Sequence, residues 1–358
     1  MKYNKTNTAS MIPLIGCYFF IAFFLLNCKE QKPEYISLIP DSGSFEYLTT
    51  QDWANVQTDT TVIDLWYDNE NENGAILSMV TDILYTSNGM YWISDLTTGK
   101  LFEFHSDGTF KRELFRRGKG PSEILRPVSL ALSQTSDIYI LDTDQQLIMV
   151  SDTNGLEKTR YRLKNLPNSF GGNKLTILSN NELLWPTYRQ PYVLSIRDSL
   201  GNIQKNLVKS IIPQGYQPSM HNNITYDILP SKNILLYAYQ GTPIIFLDID
   251  GKKKMINLEP DSELDELNTT FDLRPVNEAT TVSVLIREVF YKDDIIWVAY
   301  KSNLYEIPLD RSSEIIKHTL VDNKKEQVFY QPVFNTRSDI FFVNYNKAQI
   351  HRFPISKN

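Results

Sequence analysis

Asp137-Ile138-Tyr139-Ile140-Leu141-Asp142, then Leu147-Ile148-Met149-Val150, then Asn154-Gly155: this stretch decides the fold. Each apolar run is only as long as one strand, and each is rich in the β-branched and aromatic residues that suit a pleated, half-buried surface. A short polar loop separates the two runs. Asn-Gly after the second supplies the positive backbone φ that a tight hairpin needs. Residues 158–163 then read as a third strand, and residues 128–132 as one preceding the set. The unit is four antiparallel strands within about fifty residues.

The same order recurs along the chain. Met90-Tyr91-Trp92-Ile93-Ser94-Asp95, Glu182-Leu183-Leu184-Trp185-Pro186-Thr187 and Asn233-Ile234-Leu235-Leu236-Tyr237-Ala238 match the first run. So do Asp294-Ile295-Ile296-Trp297-Val298-Ala299 and Asp339-Ile340-Phe341-Phe342-Val343-Asn344. Their partners are residues 101–104, 193–196, 244–247, 304–307 and 350–353. The aligned ends at 95, 142, 187, 238, 299 and 344 give periods of 47, 45, 51, 61 and 45 residues. Asp107-Gly108, Leu200-Gly201 and Asp250-Gly251 repeat the hairpin signal, and Asp293-Asp294 reads as a turn inside a blade. Outer strands are expected at 111–115 and 253–258, and inner strands also at 174–178 and 281–286.

Repeats of about 40–50 residues with four strands each are a propeller signature. The prediction is therefore all-β: a six-bladed β-propeller of four-stranded antiparallel blades, closed by an N-terminal strand. The sixth unit stops at its third strand, because the sequence ends at Asn358. Thr60-Thr61-Val62-Ile63-Asp64-Leu65-Trp66 is the unassigned strand-like segment, and it is expected to pair with the last residues. Closure would remove the exposed edges of an open array.

Ahead of the propeller, Lys2 and Lys5 precede an apolar run from Met11 to Leu26, shorter than the ~20 residues of a spanning helix. The run ends at Asn27-Cys28 and turns polar at once with Lys29-Glu30-Gln31. This is the layout of a signal peptide, and a cysteine at the cleavage point makes it a lipoprotein signal. Leu14-Ile15-Gly16-Cys17 fits the cleavage consensus better, but cutting there would leave Tyr18 to Leu26 attached. Cys28 is taken as the lipid attachment site. The expected division is 1–27 signal peptide, 28–58 tether and lead-in, and 59–358 propeller. The ring is then held off the membrane by about 30 residues.

The composition narrows the function. A net charge of -6 gives no basic face for nucleic acid. Both cysteines, Cys17 and Cys28, lie in the leader, and the four histidines are scattered, so no cysteine-based metal site, zinc pair or cofactor is expected.

Tyr91-Trp92-Ile93-Ser94-Asp95 resembles the YWTD and NHL propeller repeats. Phe115-Arg116-Arg117-Gly118-Lys119-Gly120-Pro121-Ser122-Glu123-Ile124 resembles the G-x-G-P-x-E segment of the six-bladed β-propeller lipoproteins of Bacteroidetes, and Lys29-Glu30 their surface-export signal. The resemblance implies a propeller anchored in the outer membrane, facing the periplasm or the outside. It implies a fold and a location rather than an activity.

In such a ring the loops between blades share one face with those between second and third strands. The longest insertions, residues 211–223 and 259–278, fall on that face. Binding residues concentrate on long loops of rigid scaffolds, with Tyr and Arg prominent. The candidates are Arg116, Arg117, Lys119, Tyr188, Arg189, Tyr192, Tyr216, Tyr239, Arg274, Tyr300 and Tyr345. The alternative for each is packing, with the tyrosines capping blade ends and stacking on neighbours. Gly118-Lys119-Gly120-Pro121 could cradle an anion, or make a tight turn with Glu123 pairing a nearby arginine. The acidic loop of Glu259, Asp261, Glu263, Asp265 and Glu266 reads as solvated, and Asp95 and Asp142 as turn-locking residues. The expected function is binding or scaffolding by a monomer, with a peptide, glycan or protein as ligand. The alternative is an NHL-like hydrolase or lyase with a metal or acid/base site in the central channel. The inner strands at 128–132, 174–178 and 281–286 read as mostly apolar or hydroxylated, which favours binding.

Overall fold

The computed structural model describes residues 45–47, 56–69, 76–163, 174–187, 191–211, 216–217, 223–259, 274–275, 284–309, 314–326, 333–336, 338–344 and 347–355. It is the six-bladed ring the repeats predict. The first blade is Val80–Tyr85, Tyr91–Asp95, Lys100–Phe104 and Phe110–Glu113, ordered from axis to rim. The second is Pro127–Leu132, Ile138–Asp142, Leu147–Ser151 and Glu157–Arg162. The third is Thr176–Ile177, Leu183–Pro186, Tyr192–Arg197 and Ile203–Lys209. The fourth is Ile224–Leu229, Ile234–Tyr239, Ile244–Ile249 and Lys252–Asn257. Ile286–Lys292, Ile295–Tyr300, Asn303–Pro308 and Ile316–Val321 make the fifth. Val333–Asn335, Asp339–Asn344 and Gln349–Pro354 make three strands of the sixth. Among the described residues the only helical element is the 3-10 turn Pro230–Lys232, and no helix is long and apolar enough to cross a membrane.

The second and third strands are continuous apolar runs because both faces of a blade are covered by neighbouring blades. Tyr91–Asp95, Ile138–Asp142 and Leu147–Ser151 are buried at every position. The core is accordingly divided into six apolar clusters, one in each seam between adjacent blades. Outer strands such as Ile203–Lys209 meet solvent and are mostly exposed.

Ring closure differs in one respect from the prediction. Residues 60–66 do not form a single strand. We label three N-terminal strands β1 (Phe45–Tyr47), β2 (Gln57–Val62) and β3 (Asp64–Asp68). β3 is the fourth strand of blade six, antiparallel to Gln349–Pro354. β2 instead runs parallel along the outer strand of blade five, pairing Gln57 with Ile316 through Val62 with Val321. The switch falls at Ile63, which is buried in the seam between blades five and six and still donates its amide to Val321 (3.0 Å). β1 lies parallel to Lys252–Asn257 of blade four. Part of the segment expected as tether and lead-in therefore rests on the rims of blades four and five, covering their open edges.

Three further expectations change. The inner strand of blade five is Ile286–Lys292, not 281–286; it meets Ile295–Tyr300 across Asp293-Asp294, both at positive φ (52° and 62°). Of the four glycine-containing hairpin signals, Asp250-Gly251 alone has positive φ at both turn residues. At Gly108, Gly155 and Gly201 the glycine alone turns left-handed and the next pair is bulged, giving a three-residue loop. In blade three the inner strand is only Thr176–Ile177. Pro186, which has no amide hydrogen to donate, ends the second strand beside it.

Candidate binding site in the central channel

The innermost strand of each blade has one backbone edge without a ladder partner, so its amides need other acceptors. Side chains from the preceding blade supply several. Asp82 of blade one accepts the Leu130 amide and the Ser129 hydroxyl of blade two, both at 2.7 Å. Ser129 Oγ accepts the Leu175 amide at 2.8 Å. Thr225 and Asp227 of blade four accept the Val289 (3.3 Å) and Tyr291 (3.0 Å) amides of blade five. Blade four is tied back to blade three by Tyr226, whose hydroxyl lies 2.8 Å from the Lys174 carbonyl. Blade one is tied to blade six by Tyr91, whose hydroxyl donates to Asp339 at 2.6 Å.

Inside this ring lies a cavity of about 590 Å³, lined by residues of all six blades. It holds charges of both signs. Lys174 Nζ sits 3.0 Å from Glu288 Oε1, and the Thr225 hydroxyl donates to Glu288 Oε2 at 3.2 Å. Asp82, Asp227 and Arg287 share the lining with Asn223, Gln240 and Asn335. Burial raises the Asp82 carboxyl to about 7, outweighing its hydrogen bonds from Leu130, Ser129 and Ile83 and the positive charge of Lys174. Burial also raises Glu288, against the pull of Lys174. The channel is thus polar and charged, although residues 128–132, 174–178 and 281–286 read as mostly apolar or hydroxylated. The acids lie on Val80–Tyr85, Ile224–Leu229 and Ile286–Lys292, outside those three stretches. A signal was present: Asp82, Asp227 and Glu288 each interrupt an apolar strand just before a second-strand run. Among the described residues no three His, Cys, Asp or Glu side chains converge to hold a metal ion.

The loop candidates separate. Arg116, Arg117 and Lys119 are exposed. Arg116 and Arg117 pair in the backbone with Glu123–Ile124. The Gly-Lys-Gly-Pro turn is closed on itself. The Gly118 amide donates to the Ile124 carbonyl (2.9 Å) and the Gly120 amide to Glu123 Oε2 (2.7 Å). A Cβ on Gly118 would meet that same Oε2 at 2.0 Å. These amides are taken by the turn's own acceptors, and Glu123 closes the turn with the Arg160 charge near enough to attract it. Tyr192 is 38% exposed at a blade edge. Tyr239 and Tyr300 are buried; Tyr239 donates to the Lys209 carbonyl (2.5 Å) and Tyr300 to Glu259, so both serve packing. Tyr216 and Arg274 are brought together: Tyr216–Gln217 and Arg274–Pro275 form a short antiparallel ladder joining the two long insertions. Cys28, Tyr188, Arg189, Tyr345 and the acidic loop beyond Glu259 lie outside the described residues.

The blades, their closure and their shared axis match one known family. Residues 70–350 fit the family described as 6-bladed beta-propeller. The chain belongs to that family. No protein of curated function matches it. Among solved structures it is similar to a putative exported protein from Bacteroides fragilis, at 15% identity and TM-score 0.49, covering 84% of this chain and 80% of that one. It is similar to virginiamycin B lyase from Staphylococcus aureus in a structure with quinupristin, at 14% identity and TM-score 0.44, over 77% and 80% of the two chains. A gluconolactonase from Xanthomonas campestris is similar at 11% identity and TM-score 0.44, over 78% and 86%.

Proposed function

We propose that this propeller is a binding lipoprotein of the bacterial outer membrane, held by a lipid on Cys28, with its ligand site at the central channel and the loop face around it. The observation that carries the reading is the cavity of about 590 Å³ with charged and amide groups converging from separate blades. That volume is in the usual range for a small-molecule or peptide-end site. Exposed Arg116, Arg117 and Lys119 give the loop face positive charge for a larger peptide, glycan or protein partner. The anchor has a direct test in membrane fractionation. Wild-type chain should partition with membranes and Cys28→Ala should be released; tight attachment of the variant sinks the lipid. Binding is tested by thermal shift against envelope peptides, glycans and proteins. A saturable shift that Glu288→Gln abolishes supports the channel, and no shift with any class removes the reading.

A second reading, acid/base chemistry in the same channel, is favoured by Asp82, whose carboxyl titrates at about 7. Turnover of a lactone or cyclic ester that Asp82→Asn abolishes would establish it. Metal analysis of purified protein separates both readings from a metal-dependent one, since stoichiometric calcium or zinc contradicts a channel of side chains alone.

A further inference from the structure

The channel's polar groups have a pattern of their own, and the inference drawn from it rests on the binding reading above. Two cationic side chains, Lys174 and Arg287, line the same small cavity as three carboxylates, Asp82, Asp227 and Glu288. Glu288 is only 8% exposed, so its pairing with Lys174 is shielded from bulk water. A neutral polyol laid over this pair would desolvate both charges and return hydrogen bonds ionised on the protein side alone. A ligand with a charge of each sign returns bonds ionised on both sides, with the ion–ion attraction added. Asn223 adds an independent feature: its Oδ1 is buried against the same cavity and has no hydrogen-bond partner among the described residues. An unmet buried acceptor costs about 1–3 kcal/mol, which a donor on the occupant would recover.

We propose that the channel binds a short peptide with both termini free. Its ammonium lies against Glu288 and Asp82, its carboxylate against Lys174 and Arg287, and a peptide N–H meets Asn223 Oδ1. The Lys174–Glu288 pair opens to admit the two termini. The cavity holds two or three residues of peptide, and a longer chain would have to leave through the channel mouth. Proton linkage follows, because the ammonium is attracted by ionised Asp82 and not by its acid form.

Isothermal titration of the detergent-solubilised full chain tests this, with trialanine, N-acetyl-trialanine amide and maltotriose as probes. Trialanine should bind saturably. Capping both termini should weaken it at least tenfold, and so should Lys174→Met, while Lys205→Met, on the exposed rim strand of blade three, should leave it unchanged. Affinity for trialanine should rise between pH 6 and pH 7.5, before its own ammonium, with a pKa of about 8, loses its proton. Equal binding of the capped peptide overturns the proposal whether or not any variant folds. Binding of maltotriose without trialanine overturns the peptide class and leaves a binding channel standing. Failure of all three probes overturns the proposal, and the envelope-ligand screen then decides the broader reading.

Discussion

Asp95 and Asp142 show how one residue type holds a blade. Both are fully buried, and both end a second strand. Asp95 accepts the amides of Ser78 (2.6 Å) and Met79 (2.7 Å) from the chain entering its blade, and those of its own turn through Thr98 (2.8 Å). Asp142 does the same with Leu125 (2.6 Å) and Gln145 (3.0 Å). One carboxylate thus joins the inter-blade loop to the turn after the second strand. Asp142→Ala should cost about 2–4 kcal/mol in urea unfolding, because several buried donors lose their acceptor at once. Gly108 is a second single-residue constraint. Its φ is +90°, and a Cβ there would meet the Trp66 carbonyl oxygen of β3 at 1.9 Å. Asp82 sets a pH dependence. Its folded carboxyl titrates at about 7 against an ordinary 3.8, so folding favours the protonated form. That contribution is complete below about pH 4 and is lost as pH rises through 7, by about 2–4 kcal/mol at most. Glu157, Asp152 and Glu259 shift the other way, and their contributions vanish only in more acid solution. Urea unfolding at pH 5 and pH 8 should therefore show a smaller loss of stability on going to pH 8 for Asp82→Asn than for wild type. An equal loss would show that the carboxyl is ionised throughout.

At the scale of the element, the legible features were those with a local cause. Paired strands of matching length, and glycine where φ is positive, are written into neighbouring residues, so five of the six second strands could be placed from the pattern alone, and Leu183–Pro186 was only shortened by its proline. The inner strand of blade five lies five residues beyond the expected 281–286, beside the expected Asp293-Asp294 turn, because residues 281–286 are at least as apolar as Ile286–Lys292. The break between β2 and β3 leaves no mark at all. No glycine or proline interrupts residues 60–66, Asp64 alone follows the break, and it is the presence of two different rims that divides them. Thr61 confirms the division: its hydroxyl lies 2.9 Å from His318 Nδ1, and His318 Nε2 lies 2.8 Å from Glu306, both on blade five. Trimming the chain to start at Asp64 should keep a folded ring, with a lower melting temperature and more association through the bared edge of blade five. Trimming past Asp68 should remove the closing strand and abolish a stable monomer. Size-exclusion chromatography with circular dichroism reads both, and equal behaviour of the two truncations would refute the separate roles of β2 and β3.

For the molecule as a whole, stability resides in the seams. The seam that closes the ring is the most aromatic: Trp66 packs at 5.0 Å from Phe341 and 5.3 Å from Tyr91, and Tyr67 at 5.3 Å from Phe104. Trp66 also donates to the Ser106 carbonyl at 3.1 Å. Trp66→Ala should cost about 3–5 kcal/mol, and should lower the single unfolding transition as a whole rather than split it. A separate early transition would show that the N-terminal strand is dispensable for the ring. The repeat number, the blade composition and the need for a closing strand follow from the sequence by itself, because strand length, apolar continuity and turn chemistry are local properties repeated every 45–61 residues. The channel was decided only by the tertiary structure. Asp82, Lys174, Asp227 and Glu288 come from four separate repeats, and nothing in their spacing brings them together; closure of the ring turns their strands to one axis, where burial raises carboxyl groups and pairs Lys174 with Glu288.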